Sequence, residues 1–258
     1  LVRGVGVHAH QPQIRPFDDQ PQGMAADAQG NVYFSDTFRN RIRRIGTDGN
    51  IRTIAGTGLF RPSADGTPAL ETSYFTLSAL ALSPSGELFV ADNGECRISR
   101  IDAAGVWRWV AGNGTCGFNG DGAARAVQIN PGYGLAFDSR GRLLIAETDS
   151  GRIRRLNEDG TLETLAGTGN VQTFSAEDGT AARQTPISYP MGLAAASDGT
   201  IYFIEWGYRR VRRISPSGQV TTVAGDGRIG NTGDNGPATE ARFFEIRNLA
   251  LDAGRNRL

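Results

Sequence analysis

Residues 134–169 read GLAFDSRGRLLIAETDSGRIRRLNEDGTLETLAGTG, and this stretch decides the fold. Residues 134–137 are a short apolar strand. Asp138-Ser139-Arg140-Gly141 is a turn in which Gly141 can take positive φ. Residues 142–146 (RLLIA) are a second strand, rich in branched apolar side chains. A loop, 147–151, leads to a third strand at 152–156. Asn157-Glu158-Asp159-Gly160 carries the Asp-Gly signature of a hairpin turn. Residues 161–166 are a fourth strand, ended by Gly167 and Gly169. Four such strands make one twisted antiparallel sheet, too small to be stable alone.

The same pattern recurs at 23–58, 79–114 and 192–227, and a partial copy begins at 248–258. The turn glycines Gly30, Gly86, Gly141, Gly199 and Gly254 are spaced by 56, 55, 58 and 55 residues. A fixed period of this size marks a solenoid or a propeller. Radial repetition of small four-stranded sheets gives a β-propeller, which leaves only short protected edges. The expected fold is therefore all-β: four complete antiparallel blades plus partial ones, in a single domain over 1–258. Strands are expected near 31–35, 42–45 and 51–55 and at their repeats. The third strands agree, because Ile42 with Ile45, Ile98 with Ile101, Ile153 with Leu156, and Val211 with Ile214 put an apolar residue on each face. A blade packs on neighbours through both faces.

The four units resemble NHL repeats: apolar strand, Asp-x-x-Gly turn, apolar strand, Ala-Asp, then Arg-Ile-Arg-Arg. The resemblance runs from Gly23 onward. The AGTG-type endings, followed by loops such as CGFNGDGAARAVQINP, are similar to bacterial NHL arrays and to the propellers of teneurin-like and Rhs-type surface proteins. The family's His before the third strand is absent; Asn40, Cys96, Gly151 and Arg209 stand there. The resemblance implies a binding platform, usually of six blades. It also implies an alternative, a metal-dependent lactonase- or lyase-like propeller. Five blades result if the opening VRGVGV, whose Gly4 and Gly6 match Gly56 and Gly58, completes a composite blade with residues 248–258. The chain starts without Met and stops in mid-repeat, so it reads as a fragment of a longer protein.

The chain has 258 residues, 39% hydrophobic, with 35 Gly and 11 Pro, enough for a sizeable core punctuated by turns. The formal charge is zero, with 27 basic and 27 acidic residues. All the basic residues are Arg. Such a balance argues against a nucleic-acid partner. No apolar run approaches a membrane span.

The linkers between units each carry an Asp-Gly or Asn-Gly step: Asp65-Gly66, Asp121-Gly122, Asp178-Gly179 and Asn235-Gly236. A short Ala-rich run follows, which reads as a turn and one helical turn over the blade edge. In antiparallel blades these linkers share a face with the loops between second and third strands. Recognition residues gather on such loops. Cys96, set across from about Ala111, and Cys116 both fall at this end of the second blade, so a disulfide is feasible and points to an oxidising, extracytoplasmic setting.

An acidic residue ends every second strand: Asp36, Asp92, Glu147 and Glu205. Converging around a channel mouth, they form a candidate binding ring. The competing role is structural, each carboxylate serving its own loop or an Arg of its motif, such as Arg41, Arg97, Arg152 or Arg210. His8 and His10 are the only histidines, so no Ser-His-Asp set exists. No phosphate loop, metal site or cofactor is expected. Trp107 and Trp109 on a fourth strand, and Trp206 after Glu205, break the repeat symmetry. Exposed aromatics can anchor a partner. Together these features favour a non-catalytic platform for a protein or carbohydrate ligand, and leave the enzyme alternative open.

Overall fold

The computed structural model describes residues 22–171 and 177–252. His8, His10 and the VRGVGV segment lie outside them. Blade 1 holds β1 (Met24–Ala26), β2 (Val32–Asp36), β3 (Arg41–Ile45) and β4 (Ile51–Ala55). Blade 2 holds β5 (Leu77–Leu82), β6 (Leu88–Asp92), β7 (Arg97–Ile101) and β8 (Trp107–Ala111). A two-residue strand, β9 (Gly122–Ala123), precedes blade 3, which holds β10 (Gly134–Phe137), β11 (Leu143–Glu147), β12 (Arg152–Leu156) and β13 (Thr161–Ala166). Likewise β14 (Thr180–Ala181) precedes blade 4, with β15 (Pro190–Ala195), β16 (Ile201–Glu205), β17 (Arg210–Ile214) and β18 (Gln219–Ala224). Each blade is an antiparallel meander. Helical structure among the described residues is limited to single 3-10 turns, including Ala69–Glu71, Ala182–Gln184 and Ala238–Glu240 over the linkers.

Turn chemistry behaves as the residues dictate. Gly30, Gly86, Gly141 and Gly199 have φ of 89°, 84°, 76° and 89°, a region that other residues enter at a cost. The residue before each third strand is also left-handed: Asn40, Cys96, Gly151 and Arg209, at φ 48°, 50°, 54° and 51°.

The blades pack in sequence, with inner strands β1, β5, β10 and β15 each against the next. Tyr74, Leu77, Val90 and Trp107 fill the joint between blades 1 and 2; Phe89, Ile98, Ile129, Leu143 and Ile145 fill the next. Leu144, Ile153, Ile187, Phe203 and Val220 fill the third. Both faces of a blade are thus used. The described part of the fifth copy, 248–252, lies beside β15, with Asn248 against Gly192.

Each of the first three linkers belongs structurally to the blade that follows it. β9 adds an outer strand to β13, and β14 to β18. Ala124 donates its N–H to Gly160 of blade 3 and accepts the N–H of Gly112 in blade 2, both at 2.9 Å. Ala69 and Ala182 repeat the arrangement with Gly105 and Gly56, and with Gly218 and Gly167. Every fourth strand carries a bulge where it meets the third. Beside that bulge the Asp of the preceding linker accepts a backbone N–H: Asp65 from Trp109, Asp121 from Thr164 and Asp178 from Thr222, all at 2.9 Å. Asp121 also accepts from the Thr164 hydroxyl at 2.7 Å and from Arg154 at 3.3 Å. Asp121→Ala strands these donors and is expected to cost about 1–3 kcal/mol, read as a lower denaturant midpoint with an unchanged slope.

Candidate functional site

The four acidic positions are set by the ends of the second strands, and each is engaged within its own blade. Glu147 is fully buried and 3.3 Å from the guanidinium of Arg154, itself fully buried. Arg154 also donates to the carbonyls of Gly120 at 2.9 Å and Gln128 at 3.2 Å, both on the linker. Glu205 accepts from Arg212 and from the Ser188 N–H, each at 3.1 Å. Arg43 lies 3.6 Å from Asp36. Blade 2 has Ser99 at the corresponding position, and its Asp92 instead accepts the N–H groups of Phe75, Thr76, Gly94 and Glu95 at 2.9–3.3 Å. Burial pushes the Glu147 carboxyl up to about 7 against the pull of Arg154. Burial also raises Asp92, against the pull of those amides.

The paired arginines are therefore Arg43, Arg154 and Arg212, two residues beyond those expected. Arg41, Arg152 and Arg210 are drawn elsewhere, to the carbonyls of Thr57, Thr168 and Asp226 in the glycine-rich endings. In blade 3 the linker carbonyls of Gly120 and Gln128 hold Arg154 and not Arg152.

The disulfide Cys96–Cys116 forms, with Cα atoms 5.1 Å apart. The register differs from expectation: Ala111 faces Ile98, and Cys96 lies against Gly112. Trp107 is buried in the joint between blades 1 and 2. Arg97 and Arg125 lie over the Trp109 ring, 4.6 and 4.2 Å from its centre, and its indole N–H donates to Ala111 O. Neither is a free anchor on the rim.

The face that carries the linkers opens into a central mouth of about 300 Å³. Its walls include Tyr133, Asp149, Tyr189, Trp206, Glu245 and Arg247. None of the four acidic positions lines it. Below it runs a channel of about 350 Å³ between inner strands, bordered by Met24, Ala79, Gly134, Leu193 and Asn248. Trp206 stands one residue after Glu205, where the other blades have Thr37, Asn93 and Thr148. Its backbone N–H donates to Tyr189 O at 3.2 Å, and the two rings meet edge to face, 6.0 Å between centres. Tyr189 holds φ at 51°, a costly conformation for a bulky residue and outside the repeated left-handed position. Such strain is found preferentially at functional sites. Asp149 is exposed at the rim, while Arg247 and Glu245 pair at 2.7 Å. Among the described residues, no group of three or more His, Cys, Asp or Glu side chains is placed to hold a metal ion. No described helix is long and apolar enough to cross a membrane.

No family model matches the chain. Mouse teneurin-4 is 30% identical over 256 residues, covering 83% of this chain. The chain spans only 9% of that protein's length. Virginiamycin B lyase from Nocardia farcinica is 25% identical over 212 residues, covering 82% of this chain and 57% of the lyase. Among solved structures, an auxiliary nutrient binding protein from Bacteroides ovatus matches with a TM-score of 0.62 at 15% identity, over 92% of this chain and 55% of that one. At that identity the likeness concerns the fold alone. Four repeats of one grammar, four blades of one topology and relatives of this kind lead to one conclusion: the chain is an NHL-repeat β-propeller.

Proposed function

We propose that this chain is a non-catalytic binding and scaffold propeller, one domain of a larger secreted or cell-surface bacterial protein. It presents the face that carries the linkers to a protein or carbohydrate ligand. The observation that carries this reading is the central mouth, walled by Tyr133, Tyr189 and Trp206. The acidic ring of Asp36, Asp92, Glu147 and Glu205 serves the blades in this reading, each carboxylate holding an arginine or loop amides. The disulfide fits an oxidising compartment, and six blades in the parent ring remain the preferred count, with five the alternative.

The lyase relative favours a second reading, a lactone-opening enzyme. The two are separated by incubating the chain with virginiamycin B and simple lactones, with and without EDTA, and following ring opening by liquid chromatography with tandem mass spectrometry, which detects a hydrolysed product and an isomeric eliminated one alike. The binding reading expects no turnover above buffer. EDTA-sensitive turnover that vanishes in a folded Glu147→Gln or Glu205→Gln variant overturns it.

A further inference from the structure

The mouth combines three features that together specify a ligand chemistry. Its aromatic wall is ordered: the Trp206 and Tyr189 rings meet edge to face, and Tyr189 holds a positive φ. Tyr133 stands on the same wall, and Trp206 and Tyr133 are 39% and 36% exposed, leaving ring surface open. Planar polar groups share the rim: the Asp149 carboxylate and the joined Glu245–Arg247 pair. The Thr148 hydroxyl is occupied, donating to Pro190 O at 2.8 Å, so polar recognition falls to those three together with Gln22.

We infer that the mouth binds the neutral pyranose end of a glycan, stacked on Trp206 and hydrogen-bonded by Asp149 and the Glu245–Arg247 pair. A pyranose offers an apolar C–H face beside a fan of hydroxyls, which matches an aromatic wall next to planar donors and acceptors. The Glu245–Arg247 pair offers donor and acceptor together, which suits neutral hydroxyls. The size agrees: about 300 Å³ lies at the small end of ligand sites. This inference rests on the mouth being the binding site of the platform proposed above.

The test is a titration of the chain with neutral disaccharides of gluco-, galacto-, manno- and N-acetylglucosamine configuration, followed by tryptophan emission and calorimetry. Trp107 is buried and Trp109 is covered by two arginines, so Trp206 reports. A saturable emission change is expected with at least one configuration. Trp206→Ala and Asp149→Ala should each weaken binding at least about tenfold, which is about 1.4 kcal/mol. Tyr189→Gly should weaken it comparably without lowering the melting temperature, since glycine accepts positive φ freely. No saturable change with any sugar overturns the inference. If a protein ligand is instead bound through Trp206, the glycan inference fails and the platform reading stands. If a ligand binds and the three variants leave its affinity unchanged, the mouth is not the site and both fail.

Discussion

Arg154→Met is expected to cost about 3–5 kcal/mol of folding stability at pH 8, the usual penalty for breaking a buried ion pair from one side. Arg154 and Glu147 are both fully buried and 3.3 Å apart. Removing the cation leaves a carboxylate in the joint between blades 2 and 3. The pH dependence has a defined sign. Burial already raises the Glu147 carboxyl from its ordinary 4.5 to about 7 with Arg154 present. Without Arg154 it rises further. The folded variant then holds its proton more tightly than the unfolded chain, so its stability falls as pH rises above about 4.5. The wild-type chain shares this loss up to about pH 7, so the deficit widens only above that and should be smaller at pH 5 than at pH 8. Adding Glu147→Gln to Arg154→Met should recover much of the loss at pH 8, because the buried charge is then gone. Urea unfolding of the single and double variants at both pH values provides the check. A deficit that grows on acidification contradicts the assignment.

Reduction of Cys96–Cys116 is expected to cost about 3 kcal/mol, the chain-entropy value for a closure of this size, with 20 residues between the cysteines in sequence. For a chain this long that corresponds to a fall in melting temperature of about 6–12 °C. The loss should begin locally. Cys116 anchors the linker whose Gly120 and Gln128 carbonyls and Asp121 carboxylate hold Arg154. Amide exchange after reduction should therefore accelerate first around residues 115–129, and less in blade 4. Uniform acceleration across all blades, or none, contradicts this account.

The blades were legible because their signals are local. Two Gly-ended turns and a Gly-x-Gly ending bracket the strands of every blade, and the period multiplies the signal fourfold. The strands at Val32–Asp36, Arg41–Ile45 and Ile51–Ala55 fall within one residue of the expected 31–35, 42–45 and 51–55. The disulfide was legible because antiparallel topology brings both cysteines to one end of a blade. The choice of Arg154 over Arg152 was not, since both lie on the same face of β12. Only the linker carbonyls distinguish them, and no strand pattern places a linker. The mouth was half legible. Trp206 breaks a column of Thr37, Asn93 and Thr148, and stood out for that reason. Tyr133 and Tyr189 end linkers of unequal length, where repeats no longer align. The positive φ of Tyr189 has no glycine to announce it.

The seating of each linker on the following blade moves the boundary of the module. By sequence the unit runs from Gly134 to Gly169, with a linker trailing behind it. By contacts it runs from about Thr115 to Gly169, because Asp121, Gly120 and Ala124 address Thr164, Arg154 and Gly160. A gene duplication or an engineered blade swap that copies 115–169 transplants lock and key together. One that copies 134–190 separates Arg154 from its acceptors and delivers an Asp178 cut to fit the outer strand of a different blade. Heritable units of this propeller, and the safe places to cut it, thus begin just after the glycine-rich ending of one blade and not at the first strand of the next.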